Sequence, residues 1–467
     1  EGGWGPYRHC PMSAVTTSTA PKITLVGAGG MAFGPTMVND VIKTPELAGS
    51  RLVLHDVNQE RLGRAYRFAA KLNAASGAPI ILDHTTEPAA ALDGADFVMS
   101  SAEFGRFHYR RQDYEVPNRY GARQINGENG GPGAVFHSLR SVKNTLGICA
   151  DIERHCPDTL LINLSNPLSR VALAIDRHTQ VRSVSMCHEM PNGVSRLARF
   201  LRRDRRDIEA EAAGINHFTF FTTMHDRRTG EDLLPEVRRL FAKKAFDYGP
   251  RSIDAVKRMG RIGPLGALAD ELYMPLVVHL VREYGLVPCS IDSHIGEYLP
   301  FTADVAEWYP SRVDVMERFS DFTERLSAWV ADTHLPLPLH RVGHSAEEVV
   351  PIIAAVWTAT PARLMAVNVP NHGNVPDIAD GAIVEVGATV DGAGVHPDAV
   401  APVGEPLAGW IAPQIELQEM IVEATVTGDR DLAFRALLED PLSPGDPEAC
   451  RAMFDELCEL QAEQLPF

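Results

Sequence analysis

Cationic charge is scarce in this chain: 44 Lys and Arg stand against 61 Asp and Glu, for a formal net charge of −17. That balance argues against nonspecific nucleic-acid or anionic-membrane binding, because either surface would repel the protein without a dense basic patch. The one Arg-rich run, Arg202, Arg203, Arg205 and Arg206, is interleaved with Asp204 and Asp207 and reads as a solvated helix end. Cysteine is sparse too, with seven residues at Cys10, Cys149, Cys156, Cys187, Cys289, Cys450 and Cys458 and no CxxC spacing. An odd, scattered set does not make a disulfide framework, and a reducing cytoplasm is the expected location. No apolar run approaches the roughly 18–20 residues of a membrane helix. Repeats and low-complexity tracts are lacking, and the Pro/Gly-rich stretches are too short to be linkers. The first eleven residues carry Arg8 and His9 but no signal-peptide hydrophobic segment, so they are set apart as upstream sequence, with Met12 the natural start.

What is present suits a large core: 467 residues, 45% hydrophobic and 22% charged, enough for two domains. From Lys22, short β-branched runs (23–26, 51–55, 97–100, 160–164, 181–186) alternate with amphipathic helical segments (37–42, 61–73, 133–155). Runs apolar on both faces and separated by helices predict a doubly wound parallel sheet. Beyond Gly214 the alternation is expected to give way to helices at 235–245, 264–284, 313–333 and 345–359, a β-rich stretch at 364–390 and a helical region at 413–464. The expected fold class is α/β. An extension at 1–20 precedes an NAD-binding Rossmann-like domain at 21–200 and a larger, mostly helical α+β domain at 201–467, with the site in the cleft between them.

Gly27-Ala28-Gly29-Gly30-Met31-Ala32-Phe33 follows the first strand and opens a helix, giving GxGxxA in its proper context. The first glycine permits the tight turn, the second lets a pyrophosphate approach the backbone, and the small Ala32 lets helix and strand pack closely. The phosphates would lie on the helix N-terminus. Asp56 ends the second strand 29 residues after Gly27 and can accept hydrogen bonds from a ribose, which favours NAD over NADP.

Cys187 follows the strand at 181–186, and His217 follows the apolar run 212–215. One thiolate and one imidazole cannot fill a structural zinc site, which takes four protein ligands. They can hold a divalent metal whose open positions chelate substrate, although a buried cysteine and a core histidine would look the same in sequence.

The surrounding motifs decide between these readings, because the chain resembles family 4 of the glycoside hydrolases, the NAD- and manganese-dependent glycosidases. The resemblance runs from about Lys22 to Leu460. It rests on the glycine loop, Asn166-Pro167, Cys187-His188-Glu189-Met190-x-x-Gly193, Gly214-Ile215-Asn216-His217-Phe218-Thr219, Asn368-Val369-Pro370-Asn371-His372-Gly373 and Ile383-Val384-Glu385-Val386. It implies glycoside cleavage by transient oxidation at the sugar C3, removal of the C2 proton, elimination of the leaving group, addition of water and return of the hydride. The metal, Mn²⁺ or another divalent ion, would polarise the C2 and C3 oxygens. Carried over, Cys187 and His217 are the metal ligands and Asn166 binds sugar hydroxyls. His188 is either the acid for the leaving group or a hydrogen-bond partner of the substrate. Aligning on Tyr284-Gly285-Leu286-Val287-Pro288 puts His279 where relatives carry the C2 base, with Asp270 and Tyr273 as rivals. A neutral imidazole, with an ordinary pKa of about 6.5, can take that proton.

Glu128, where similar proteins often have aspartate, and His294, in Ser293-His294-Ile295-Gly296-Glu297-Tyr298, are expected substrate contacts. These motifs look most like the branch that includes α-galacturonidases. A uronate would need a cation, for which Arg106 and Arg123, with Arg110 and Arg111, are available near the strand at 97–100. A neutral α-glucoside or α-galactoside remains the alternative within the family. Outside it stand a 2-hydroxy-acid dehydrogenase and a catalytically silent NAD-binding protein. A homodimer or homotetramer is expected, with the apolar C-terminal helical region as its contact or as plain core.

Overall fold

The computed structural model describes residues 20–30, 34–76, 80–259, 271–306, 312–335, 343–345 and 347–467. In the first half the apolar runs form β1 (Lys22–Val26), β2 (Arg51–His55), β4 (Phe97–Ser100), β5 (Leu160–Asn163) and β6 (Arg182–Ser185), close to the expected bounds. A further strand, β3 (Ile81–Thr85), escaped the sequence pattern because it is an edge strand with half-polar composition; its Ile81 is 51% exposed. These six strands pair in parallel in the order β3-β2-β1-β4-β5-β6. That is the doubly wound order of a dinucleotide-binding fold. Helices Gly34–Lys43, Gln59–Ser76, Pro132–His155 and Leu168–His178 connect them.

The second half adds more strand than its sequence suggested. β7 (Ile208–Ile215) and β8 (Phe218–Asp226) form an antiparallel hairpin where the alternation was expected to end. The β-rich stretch resolves into β9 (Ala362–Pro370), β10 (Ile383–Asp391) and β11 (Gly394–Pro397). All join the first sheet, in the order β6-β9-β10-β7-β8 with β11 on β10. One row of residues crosses four strands: Ser185 lies opposite Asn368, Asn368 opposite Glu385, and Glu385 opposite Gly214. Cys187, two residues beyond Ser185, and His217, three beyond Gly214, therefore emerge on the two flanks of the β9–β10 pair.

The expected later helices appear as Leu234–Phe241, Pro275–Tyr284, Arg312–Asp332 and Val349–Thr358, while 264–270 lies outside the described residues. The C-terminal region forms Leu407–Thr427, Arg430–Glu439 and Pro447–Leu460. These three helices bury Leu417, Ile421, Phe434, Met453 and Phe454 against Phe136 and Leu139, so their apolar faces serve the chain's own core. Phe454 sits at the middle of that cluster, its ring centroid 5.3 Å from both Phe136 and Phe434. Phe454→Ala should lower unfolding free energy by about 3–5 kcal/mol. Urea denaturation checks this, and a loss below about 1 kcal/mol would show that the C-terminal helices are not part of the cooperative core.

Candidate functional site

The glycine loop leaves β1 in a turn held by backbone bonds. Gly27 and Ala28 donate to the His55 carbonyl at 3.0 Å, and Gly30 donates to Gly27 at 3.0 Å. Gly27 has φ 83°, and a Cβ there would meet the Ala102 nitrogen at 2.9 Å, so only glycine fits. Asp56 lies against the loop, one carboxylate oxygen accepting from the Gly29 N–H at 2.9 Å and the other from Asn58 at 2.8 Å. A side chain at Gly29 would strike that carboxylate at 2.7 Å. Met31, Ala32 and Phe33 lie outside the described residues. The loop borders a cavity of about 830 Å³ lined by Gly27, Gly30, Asp56, Ser101, Glu128 and Asn166. Its size, its glycine rim and the acid at its edge suit a dinucleotide.

At the other end of the cavity, several charged side chains are withdrawn from water together. Arg110 grips Glu128 through two bonds of 3.0 and 3.1 Å and also donates to Asn126 at 2.7 Å. Asn126 and Asn166 add bonds to the same carboxylate at 3.0 and 3.4 Å. Burial alone would raise the Glu128 carboxyl, but the charge and hydrogen bonds of Arg110 hold it well below the usual range. Glu297 accepts the backbone N–H of Glu128 at 2.6 Å and of Asn129 at 3.1 Å, and burial with the nearby Glu128 charge pushes it up to about 8. A Cβ at Gly130 would lie 1.8 Å from the Glu297 carbonyl, so the loop beneath this carboxylate must carry glycine.

His217 occupies the two-residue turn between β7 and β8 and takes the left-handed conformation, φ 65°. This conformation is uncommon for a residue with a Cβ and aims the ring into the cluster. Its Nδ1 lies 3.0 Å from the Asn129 amide and 2.8 Å from Nδ1 of His294. Burial keeps His217 neutral down to about pH 4, as a metal-ligating imidazole must be. Ligand atoms of Glu189, His217 and His294 lie within 4.8 Å of one another, as do those of Glu128, His294 and Glu297. Burial raises Glu189 to about 7, and its Oε2 is buried without a hydrogen-bond partner among the described residues. The orphaned Glu189 oxygen beside the neutral His217 imidazole is a donor pair that a divalent cation fits.

Cys187 stands on the other flank, belonging to neither of those two groups. Its thiol is hydrogen-bonded by Asn216, and burial together with the charges of Glu385 and Glu189 pushes it well up. His188 faces Glu347 at 3.0 Å; burial opposes its protonation, but the Glu347 hydrogen bond and the surrounding carboxylates outweigh burial and shift it upward.

Other expected residues lie elsewhere. His279 sits on Pro275–Tyr284 with its ring edge-on to Tyr284 and Phe301, about 6 Å between centroids, and outside the carboxylate–imidazole groups. Tyr273 packs against Tyr248 in a small apolar cluster. Asp270 is outside the described residues. Each arginine considered for a uronate already faces an acid: Arg106 lies 2.9 Å from Glu103, Arg110 holds Glu128, Arg111 holds Asp314, and Arg123 pairs with Asp304 at the surface. Sequence reasoning did not single out Glu189, Glu297, Glu385 or Asn129. The available signal was an acid inside an apolar run, as in Ile383-Val384-Glu385-Val386, since a buried carboxylate needs a structural or chemical reason.

Residues 22–202 match Family 4 glycosyl hydrolase, and residues 212–443 match the Family 4 glycosyl hydrolase C-terminal domain. The chain belongs to family 4 of the glycosyl hydrolases. It is 32% identical to an α-glucosidase from Erwinia rhapontici over 96% of this chain and 99% of that protein. It is 28% identical to an α-galacturonidase from Lachnoclostridium phytofermentans, over 90% of this chain and 91% of the other. Its fold matches that of a 6-phospho-α-glucosidase from gut microorganisms solved with NAD and Mn²⁺, with a TM-score of 0.80, 22% identity and coverage of 96% and 99%. The dehydrogenase reading left open by the glycine loop gives way to this family 4 glycosidase.

The raised carboxyl of Glu297 carries a pH signature. A carboxyl whose folded value, about 8, exceeds its ordinary 4.5 favours folding below the lower value, and that contribution is lost as pH rises through the higher one. Glu297→Gln cannot ionise, so its Tm relative to the wild type should climb between about pH 4.5 and 8. Thermal scans showing a constant difference would mean that Glu297 is ionised throughout.

Proposed function

We propose that this chain is an NAD⁺- and divalent-metal-dependent α-glycosidase acting on a neutral hexoside. The observation that carries the reading is the position of Glu128, which lines the dinucleotide cavity and also belongs to the carboxylate–imidazole cluster, so one substrate can face both. Bound NAD⁺ supplies a hydride acceptor for the sugar C3, and a bound divalent ion supplies Lewis acidity at the neighbouring oxygens.

The chain's own residues then have distinct tasks. Arg110 keeps Glu128 ionised, so that Glu128 and Asn166 accept and orient sugar hydroxyls. Cys187 and His217 are the proposed metal ligands, with Glu189 beside His217. His294, whose ring lies against His217, is better supported than His279 as the group that takes the C2 proton, because His279 is packed among aromatic rings. His188, backed by Glu347, protonates the departing glycosidic oxygen. The neutral-sugar reading rests on charge: each arginine considered for a uronate already faces an acid, Arg106 with Glu103, Arg110 with Glu128, Arg111 with Asp314 and Arg123 with Asp304. The 32% identity to an α-glucosidase is consistent with this. The six cysteines among the described residues are free of disulfides, which supports a reducing compartment.

A panel of p-nitrophenyl α-glucoside, α-galactoside and α-galacturonide tests the assignment. Release should require NAD⁺ and Mn²⁺, show a primary isotope effect with deuterium at C2 or C3, and leave no net NADH. Preference for the galacturonide would overturn the neutral-sugar reading, and release without NAD⁺ would overturn the redox reading itself. For the base, His294→Ala should abolish exchange of the C2 proton with solvent while His279→Ala retains it. The reverse result would restore His279.

A further inference from the structure

Glu385 is withdrawn entirely from water, 0% exposed, in the middle of the apolar strand β10. Burying a carboxylate costs several kcal/mol unless donors or a cation compensate. No ion pair reaches it among the described residues; its hydrogen-bond donors include two neutral amides, Asn216 and Asn368, each 2.9 Å from the same oxygen. Its other oxygen and the amide oxygens of Asn216 and Asn368 are buried without partners among the described residues. An apolar residue would fill this position at far lower cost. The location supplies the reason for the acid. Asn216 is the neighbour of His217 and hydrogen-bonds the Cys187 thiol. Asn368 lies opposite Ser185, two residues before Cys187, and Glu385 lies opposite Gly214 on the strand that delivers His217.

Building on the metal-dependent reading above, we infer that Glu385 is a positioning residue of the metal centre: by tying Asn216 to Asn368 across β9 and β10, its carboxylate sets the separation of Cys187 and His217. It touches neither substrate nor cofactor in this role. Its effect passes through Asn216, whose amide is held by the carboxylate on one side and meets the thiol on the other. Residues that orient ligands in this way typically change metal affinity about 10–100-fold when replaced.

The test is Mn²⁺ binding by the full-length protein, followed by the EPR signal of free Mn²⁺, with NAD⁺ affinity measured in parallel by fluorescence. Glu385→Gln keeps the shape and loses the charge. It should weaken Mn²⁺ binding by about 10–100-fold, leave NAD⁺ affinity within about twofold, and recover kcat at saturating Mn²⁺. Wild-type Mn²⁺ affinity in this variant would overturn the inference, as would a parallel loss of NAD⁺ affinity, which would mark a general collapse of the sheet edge. Should Glu385→Gln fail to fold, Asn216→Ala removes the link while keeping the carboxylate, and unchanged Mn²⁺ affinity there would equally overturn it. A wild-type protein that binds no Mn²⁺ removes the metal reading and this inference together, whereas normal binding by Glu385→Gln removes the inference alone.

Discussion

A carboxylate taken out of water must meet donors or a cation, and here Glu128, Glu189, Glu297 and Glu385 are all withdrawn around one edge of the sheet. Each meets the demand differently. Glu128 has a guanidinium, Glu297 has two backbone N–H groups, Glu385 has two amides, and one Glu189 oxygen has no hydrogen-bond partner among the described residues. Spread through a core, such groups would cost more than the fold could offset. Glu128, Glu189 and Glu297 gather beside His217 and His294, where a cation that entered would favour the ionised form of the raised carboxyls.

The same constraint explains the local backbone. Glu297 reaches the 128–129 loop only because Gly130 lets the two backbones touch, and His217 faces the cluster only because its tight turn accepts a left-handed residue. Glycine is likewise required at Gly27 and Gly29, where the chain folds against Ala102 and Asp56. Backbone approach thus shapes both ends of the cavity as much as side-chain chemistry does. The continuous sheet is what holds the two ends in register. Its parallel half delivers the glycine loop, Asn166 and Cys187, and its antiparallel half delivers His217, Asn368 and Glu385.

Much of this was legible in the residues. The parallel strands announced themselves because fully buried strands are apolar on both faces, and the glycine loop with Asp56 is a local device whose spacing survives in one dimension. β3, β8 and the start of β7 were missed while the apolar end of β7 at 212–215 was seen: Ile-Leu-Asp-His-Thr and Ile-Glu-Ala-Glu-Ala carry polar residues on an exposed side and mimic loop or helix. His279 was placed as the base by resemblance at Tyr284-Gly285-Leu286-Val287-Pro288, which does not record where a ring points. In the folded chain its helix turns that ring toward Tyr284 and Phe301.

By itself the sequence determined the doubly wound half, the glycine loop with Asp56 and the motifs that hold Cys187 and His217, because each is encoded by neighbours within a few turns of chain. Only the tertiary structure decided which charges meet. Arg110 is 18 residues from Glu128, Asn129 is 168 from Glu297, and Asn216 is 169 from Glu385. Whether an arginine meets a carboxylate, and whether a histidine meets another imidazole or an aromatic ring, depends on strands brought side by side by burial. Sequence spacing does not record that proximity.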